Sequence, residues 1–149
     1  MQDNTKIGLV IDVNIWISSL LSLPFRNRTE MFFDSEYFLL FSKELFEELG
    51  HAVNKPYPAK RIVRSEYEKL VAKLWSTAEL IDVHSIVEVC RDPKDNYLLA
   101  LAKDGNADYL LTGDSGLLVL KEFEKTKIVS LSDFEVICNT GTNETFSSP

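Results

Sequence analysis

The stretch IGLVIDVNIWISSLL, residues 7–21, decides how this chain is read. Continued to Phe25 it is a 19-residue run whose only charge, between Lys6 and Arg26, is Asp12. Its apolar character suggests a membrane span or a secretory leader, and its details exclude both. An Asp within a membrane helix costs about 2.5–3.5 kcal/mol, and Asn14, Pro24 and three serines add to that. The preceding MQDNTK sets one Lys against one Asp, so the basic region of a leader is missing. The reading that fits is a buried strand, Ile7–Ile11, running into a helix over residues 14–21 with Asp12 at the junction. A carboxylate in so apolar a place needs a partner, which makes Asp12 the first functional sign.

The rest of the chain is consistent with that start. At 149 residues it suits one domain with an ordinary core, and 45 % hydrophobic with 26 % charged residues is a globular composition. Its formal charge of −7 argues against a protein that coats nucleic acid non-specifically, which needs clustered Lys and Arg. It does not exclude an enzyme that acts on nucleic acid through bound cations. Cys90 and Cys138 belong to no CxxC pair and suit reduced thiols in a cytoplasmic protein.

Working outward, a polar break at residues 24–28 precedes a short helical segment over 29–33. Tyr37–Phe41 is a second unbroken apolar run, and Ser42 then caps a helix ending near Val53. After the prolines at 56 and 58, apolar spacing predicts a long helix over residues 59–80. A short strand over 81–83 follows. Asp92 and Pro93 open another helix as N-cap and first helical residue. Strands over 108–111 and 128–131, a short helix over 116–122 and a final turn from Ser132 complete the order. Unbroken apolar strands alternating with helices imply a parallel sheet covered on both faces, hence a three-layer α/β/α sandwich. One domain is expected over residues 1–138, with a flexible tail over 139–149.

Ligands in such folds bind beyond the carboxyl ends of the strands. Asp12 and Asp114 both sit at strand ends, and if the two strands are neighbours their carboxylates share one crevice. Singly, each is also an ordinary turn or N-cap residue. Asp95, in the first turn of the helix capped by Asp92, suits the helix dipole and starts from the same side of the molecule. Within SKELFEELGHAV, Glu48 lies about 60° from Leu45 on a helical wheel, at the edge of the apolar stripe, while Glu44 and Glu47 lie further toward solvent.

Four segments together resemble the motifs of PIN domains. IGLVIDVNIWISSLL resembles the opening strand and helix with its Asp-x-Asn, SKELFEELGHAV the second motif with its acid at Glu48, CRDPKDNYLLALA the third with Asp95, and ADYLLTGDSGLL the fourth with Thr112 and Asp114. Order and spacing agree over nearly the whole chain. The nearest likeness is to the VapC-like ribonucleases described as toxin components of bacterial toxin–antitoxin systems. One position departs: Val13 stands where the family usually has Thr, which removes a hydroxyl near the site.

The resemblance implies a metal-dependent endoribonuclease in which Asp12, Glu48, Asp95 and Asp114 hold Mg²⁺ or Mn²⁺. Asn14 and Thr112 support those carboxylates or contact a phosphate. It also implies a cognate antitoxin and a homodimer. The residue chemistry agrees, since converging carboxylates repel and hard divalent cations with oxygen ligands relieve that. Residues 55–75 hold six basic residues against two acidic, and Lys60, Arg61 and Arg64 are candidates to follow an RNA backbone. A solvated basic helix face explains them equally well. His51 and His84 read as surface or packing residues. Two other classes remain open. One is a phosphotransfer or phosphatase-like domain, although Asn14 stands where those enzymes carry a second Asp. The other is a non-catalytic RNA- or protein-binding module.

Overall fold

In chain order the elements are β1 (Ile7–Ile11), α1 (Val13–Leu21), α2 (Leu23–Thr29), a 3-10 turn (Glu30–Phe33), β2 (Tyr37–Phe41), α3 (Lys43–Val53), α4 (Pro56–Ala59), α5 (Arg64–Thr77) and β3 (Glu79–Leu80). They continue with α6 (Pro93–Asp104), β4 (Tyr109–Leu111), α7 (Ser115–Leu118), β5 (Glu122–Phe123), β6 (Thr126–Val129) and α8 (Leu131–Thr140). The structure, a computed structural model, describes residues 6–140. The expectations for the N-terminal hexapeptide up to residue 5 and for the tail from 141 onward lie outside that range, and α8 runs past the expected boundary at 138.

The six strands form one sheet in the order β3-β2-β1-β4-β6-β5. All pairings are parallel except the hairpin of β5 with β6. The central strands are buried almost without interruption: Leu9, Val10 and Ile11 in β1, Leu39 to Phe41 in β2, and all of β4. That pattern requires both faces to be covered, and the helices cover them in the expected α/β/α layering. β1 lies between β2 and β4, with Leu9, Val10 and Ile11 opposite Tyr109, Leu110 and Leu111. Among the described residues no helix is long and apolar enough to cross a membrane.

Several boundaries differ from the sequence expectation, each for a local reason. Residues 24–28 belong to helix α2, because Ser22 accepts a hydrogen bond from the Phe25 N–H and Pro24 sits in the first turn, where its missing N–H costs nothing. The long helix starts at Arg64 rather than at 59. After α4 the Arg61 and Ile62 N–H groups both close on the Pro58 carbonyl, and the β-branched Val63 turns extended. The short strand is Glu79–Leu80, two residues earlier than expected. Beyond α7 the chain makes a hairpin in place of more helix, with Lys121 and Glu124 at φ 67° and 54°.

The main aromatic cluster centres on Trp16 of α1, fully buried against Phe32 (ring centroids 5.8 Å apart, edge-on), Phe33 and Phe41. Its indole N–H is the one buried side-chain nitrogen or oxygen without a hydrogen-bond partner among the described residues. Truncating so large a buried ring costs about 3–5 kcal/mol, while an orphaned buried donor itself costs about 1–3 kcal/mol. Trp16→Ala should therefore lower the denaturation free energy by about 3–5 kcal/mol. Trp16→Phe, which keeps a ring and removes the orphan, should lose less than half of that. Urea midpoints of the two variants check this, and equal losses would refute it.

Candidate active site

Asp12 follows β1 directly and its backbone N–H reaches across to the Leu111 carbonyl of β4, at 2.9 Å. The carboxylate caps α1: Oδ1 accepts from the Asn14 N–H at 3.1 Å. Its other oxygen accepts from the Thr112 hydroxyl at 2.8 Å, and that hydroxyl oxygen in turn accepts from the Asp114 N–H at 3.0 Å. Asp12 is only 8 % exposed and Thr112 is fully enclosed. A buried carboxylate held by two donors is fixed in orientation before anything binds. Asn14 does orient Asp12, through its backbone N–H. Val13 is buried and contributes apolar wall.

Asp114 occupies the N-cap position of α7, yet its side chain makes no capping bond. Its carboxylate lies beside that of Asp95. A Cβ on Gly116 would stand 3.3 Å from an Asp114 oxygen and 3.6 Å from one of Asp95, so the pair packs over that glycine. Asp95 follows its own N-cap Asp92, whose carboxylate accepts from the Lys94 N–H at 2.9 Å. Burial, the Asp114 bond and the charges of Asp114, Asp92 and Asp12 push the Asp95 carboxyl up to about 7. Burial and the charges of Asp95, Asp114 and Asp92 also raise the Cys90 thiol.

Glu48 comes from α3, half-buried where Glu44 and Glu47 are exposed. Helices α3 and α6 are tied at their N-terminal ends: the Ser42 hydroxyl, which caps α3, hydrogen-bonds the Tyr97 hydroxyl, and Tyr97 donates to Glu44 at 3.0 Å. One pocket of about 250 Å³ brings these segments together. Asp12, Asn14, Glu48, Asp95 and Asp114 line it, with Asp92 as a fifth acid and Val13, Ala52 and Leu98 as apolar wall. Lys60, Arg61 and Arg64 do not line it; Arg64 pairs with Glu68 at 3.4 Å and lies over the Tyr67 ring. Three further residues line it: His51, expected from the sequence to be a surface or packing residue, Lys55 at the start of the basic segment, and Lys94. Only the topology reveals them, although His51 stands three residues after Glu48, on the same face of its helix.

Among the described residues no three His, Cys, Asp or Glu side chains are gathered tightly enough to form a finished metal cage. The donor set nonetheless fits a hard divalent cation, since it is made of carboxylate and amide oxygens. Crowding by Asp114, Asp92 and Asp12 raises the Asp95 carboxyl, and a cation would relieve the same repulsion.

The family model described as PIN domain matches residues 8–116, a span holding all four acids and Thr112. Uncharacterized protein MJ1680 of Methanocaldococcus jannaschii is 26% identical over 127 residues, 83% of this chain and 81% of that protein. The crystal structure of PAE2754 from Pyrobaculum aerophilum superposes with a TM-score of 0.58 at 17% identity, covering 91% of each chain, a likeness of fold.

Proposed function

Because the chain belongs to the PIN domain family, whose members are commonly nucleases, we propose that it is a Mg²⁺- or Mn²⁺-dependent endoribonuclease whose metal ligands are Asp12, Glu48, Asp95 and Asp114. The observation that carries this reading is the Asp95–Asp114 contact beside Asp12. Acids from separate parts of the chain crowd until one keeps its proton near neutral pH, an arrangement that stability alone disfavours. A divalent cation in such a pocket polarises a phosphoryl oxygen and lowers the pKa of a bound water. The chain's own residues do the positioning. Thr112 and the Asn14 N–H fix Asp12, the Gly116 backbone lets Asp95 and Asp114 approach each other, and Ser42 with Tyr97 sets α3, and so Glu48, against α6. Hydrolysis adds water across the P–O bond, and the departing ribose oxygen leaves as an alcohol.

The test is cleavage of a labelled single-stranded RNA. Cleavage should occur with Mg²⁺ or Mn²⁺ and fall to background in EDTA; persistent cleavage in EDTA would refute the metal mechanism.

We also read the protein as the toxin of a toxin–antitoxin pair, acting in the cytoplasm as a homodimer and restrained by an antitoxin. The likeness of its four motifs to such toxins supports this. Expression should then arrest growth, and Asp95→Ala should relieve the arrest. Harmless expression of an active nuclease would count against the toxin role and leave the chemistry untouched.

A further inference from the structure

We infer that Lys55 and Lys94 hold the phosphates flanking the bond to be cut, so that the nucleic acid enters over the α3–α4 turn and the start of α6. This rests on the nuclease reading above. Five carboxylates line the pocket, and a polyanion approaching them meets repulsion until cations intervene. Lys55 and Lys94 are the two lysines in that wall, and no arginine shares it among the described residues. Both are exposed, and neither ammonium forms an ion pair among the described residues.

Some basic residues elsewhere are paired, and what sets Lys55 and Lys94 apart is their place in the pocket wall. Arg26 and Lys69 share Glu66, Lys73 meets Glu30 at 3.8 Å, and Arg64 meets Glu68. Lys94 is the more telling of the two. It sits in the first turn of α6, where the helix dipole disfavours a cation, and it follows Asp92 and precedes Asp95 without pairing with either. An exposed cation left unpaired in the wall of an acidic pocket suits an anionic partner that arrives with the substrate. Lys55 comes from the turn after α3, a separate part of the chain. Two point charges from separate elements at one pocket match the spaced phosphates of a single strand better than one bound anion.

The experiment compares wild type with Lys55→Ala, Lys94→Ala, the double variant and Lys94→Arg, using Lys103→Ala at the far end of α6 as a charge-matched control. Steady-state cleavage of a single-stranded RNA is measured in saturating Mn²⁺ across a salt series. RNA binding is measured by anisotropy in Ca²⁺. Each alanine should raise KM about 10-fold, the strength of one charge-assisted contact, with kcat within about 2-fold. The salt slope of log binding should flatten by about 0.7 per lysine removed. Lys94→Arg should restore most of KM, and Mn²⁺-induced thermal stabilisation should be unchanged in every variant. An unchanged KM and salt slope in the double variant would overturn the assignment, as would an equal loss in Lys103→Ala. A wild type that binds RNA by these lysines without cutting overturns the nuclease reading alone; one that neither binds nor cuts overturns both.

Discussion

Asp12→Asn is expected to slow RNA cleavage by about 1,000-fold or more while the fold survives. Lewis-acid stabilisation by a correctly held cation contributes several kcal/mol, and each 1.4 kcal/mol is a factor of about 10 in rate. The amide is nearly the same size as the carboxylate. Its oxygen still accepts from the Asn14 N–H, and its NH₂ meets the Thr112 hydroxyl, which turns to accept it. Asparagine also removes one charge that bears on Asp95, so the thermal midpoint of the variant should equal or exceed that of the wild type. Loss of activity with gain of stability is the pattern of a residue kept for chemistry. Single-turnover cleavage in saturating Mn²⁺ with a parallel melting curve gives both numbers. An Asp12→Asn protein cutting at the wild-type rate would end the case for Asp12 as a ligand.

Metal binding is expected to be strongly pH-dependent, with Asp95 as the cause. Its carboxyl is raised from 3.8 to about 7 in the folded protein. Without metal, the stability linked to this group is therefore fully present below about 4 and is lost as pH rises through about 7. A cation reverses that trend, since it binds the carboxylate whose proton is gone. Below the raised pKa the metal must displace that proton, so affinity should climb about tenfold per pH unit up to about 7 and then level off. Calorimetry in buffers of different ionisation enthalpy should show close to one proton released per Mn²⁺ well below pH 7 and almost none well above it. At a concentration about 100 times the dissociation constant, Mn²⁺ stabilises by about 2.7 kcal/mol, or about 5–10 °C for a chain of this size. That shift should be full at pH 8 and about half as large at pH 6 with the same Mn²⁺. Equal shifts at both pH values would refute the role of Asp95, and Asp95→Asn should abolish the pH dependence.

Much of the fold was legible because strands covered on both faces must be apolar throughout. Ile7–Ile11 and Tyr37–Phe41 stand out as unbroken runs, and helices between them make the sheet parallel. The wheel that separated Glu48 from Glu44 and Glu47 worked for the same reason, since a helix packed on one side leaves a border where a carboxylate is half-buried. Features without a compositional signal stayed hidden. The β5–β6 hairpin turns through Glu124 and Lys125, neither a usual turn residue, so the short strand before it read as helix. The basic segment at residues 55–75 stood out by its charge, yet of its six basic residues only Lys55 lines the pocket of acids. The other cation that lines the pocket, Lys94, stands alone between acids in the sequence, and an isolated charge carries no pattern.

By itself the sequence determined the elements, their alternation and the acids at strand ends and helix starts, because periodicity and capping act over a few residues. Only the tertiary structure decided that β1 lies beside β4. That adjacency sets Asp12 against Thr112, 100 residues away, and places both near Asp95 and Asp114. Strand order depends on which buried faces pack best across the whole chain, a choice no local pattern encodes. It also converted four acids, each explicable alone as a turn or a cap, into one crowded pocket where Asp95 keeps a proton near neutral pH.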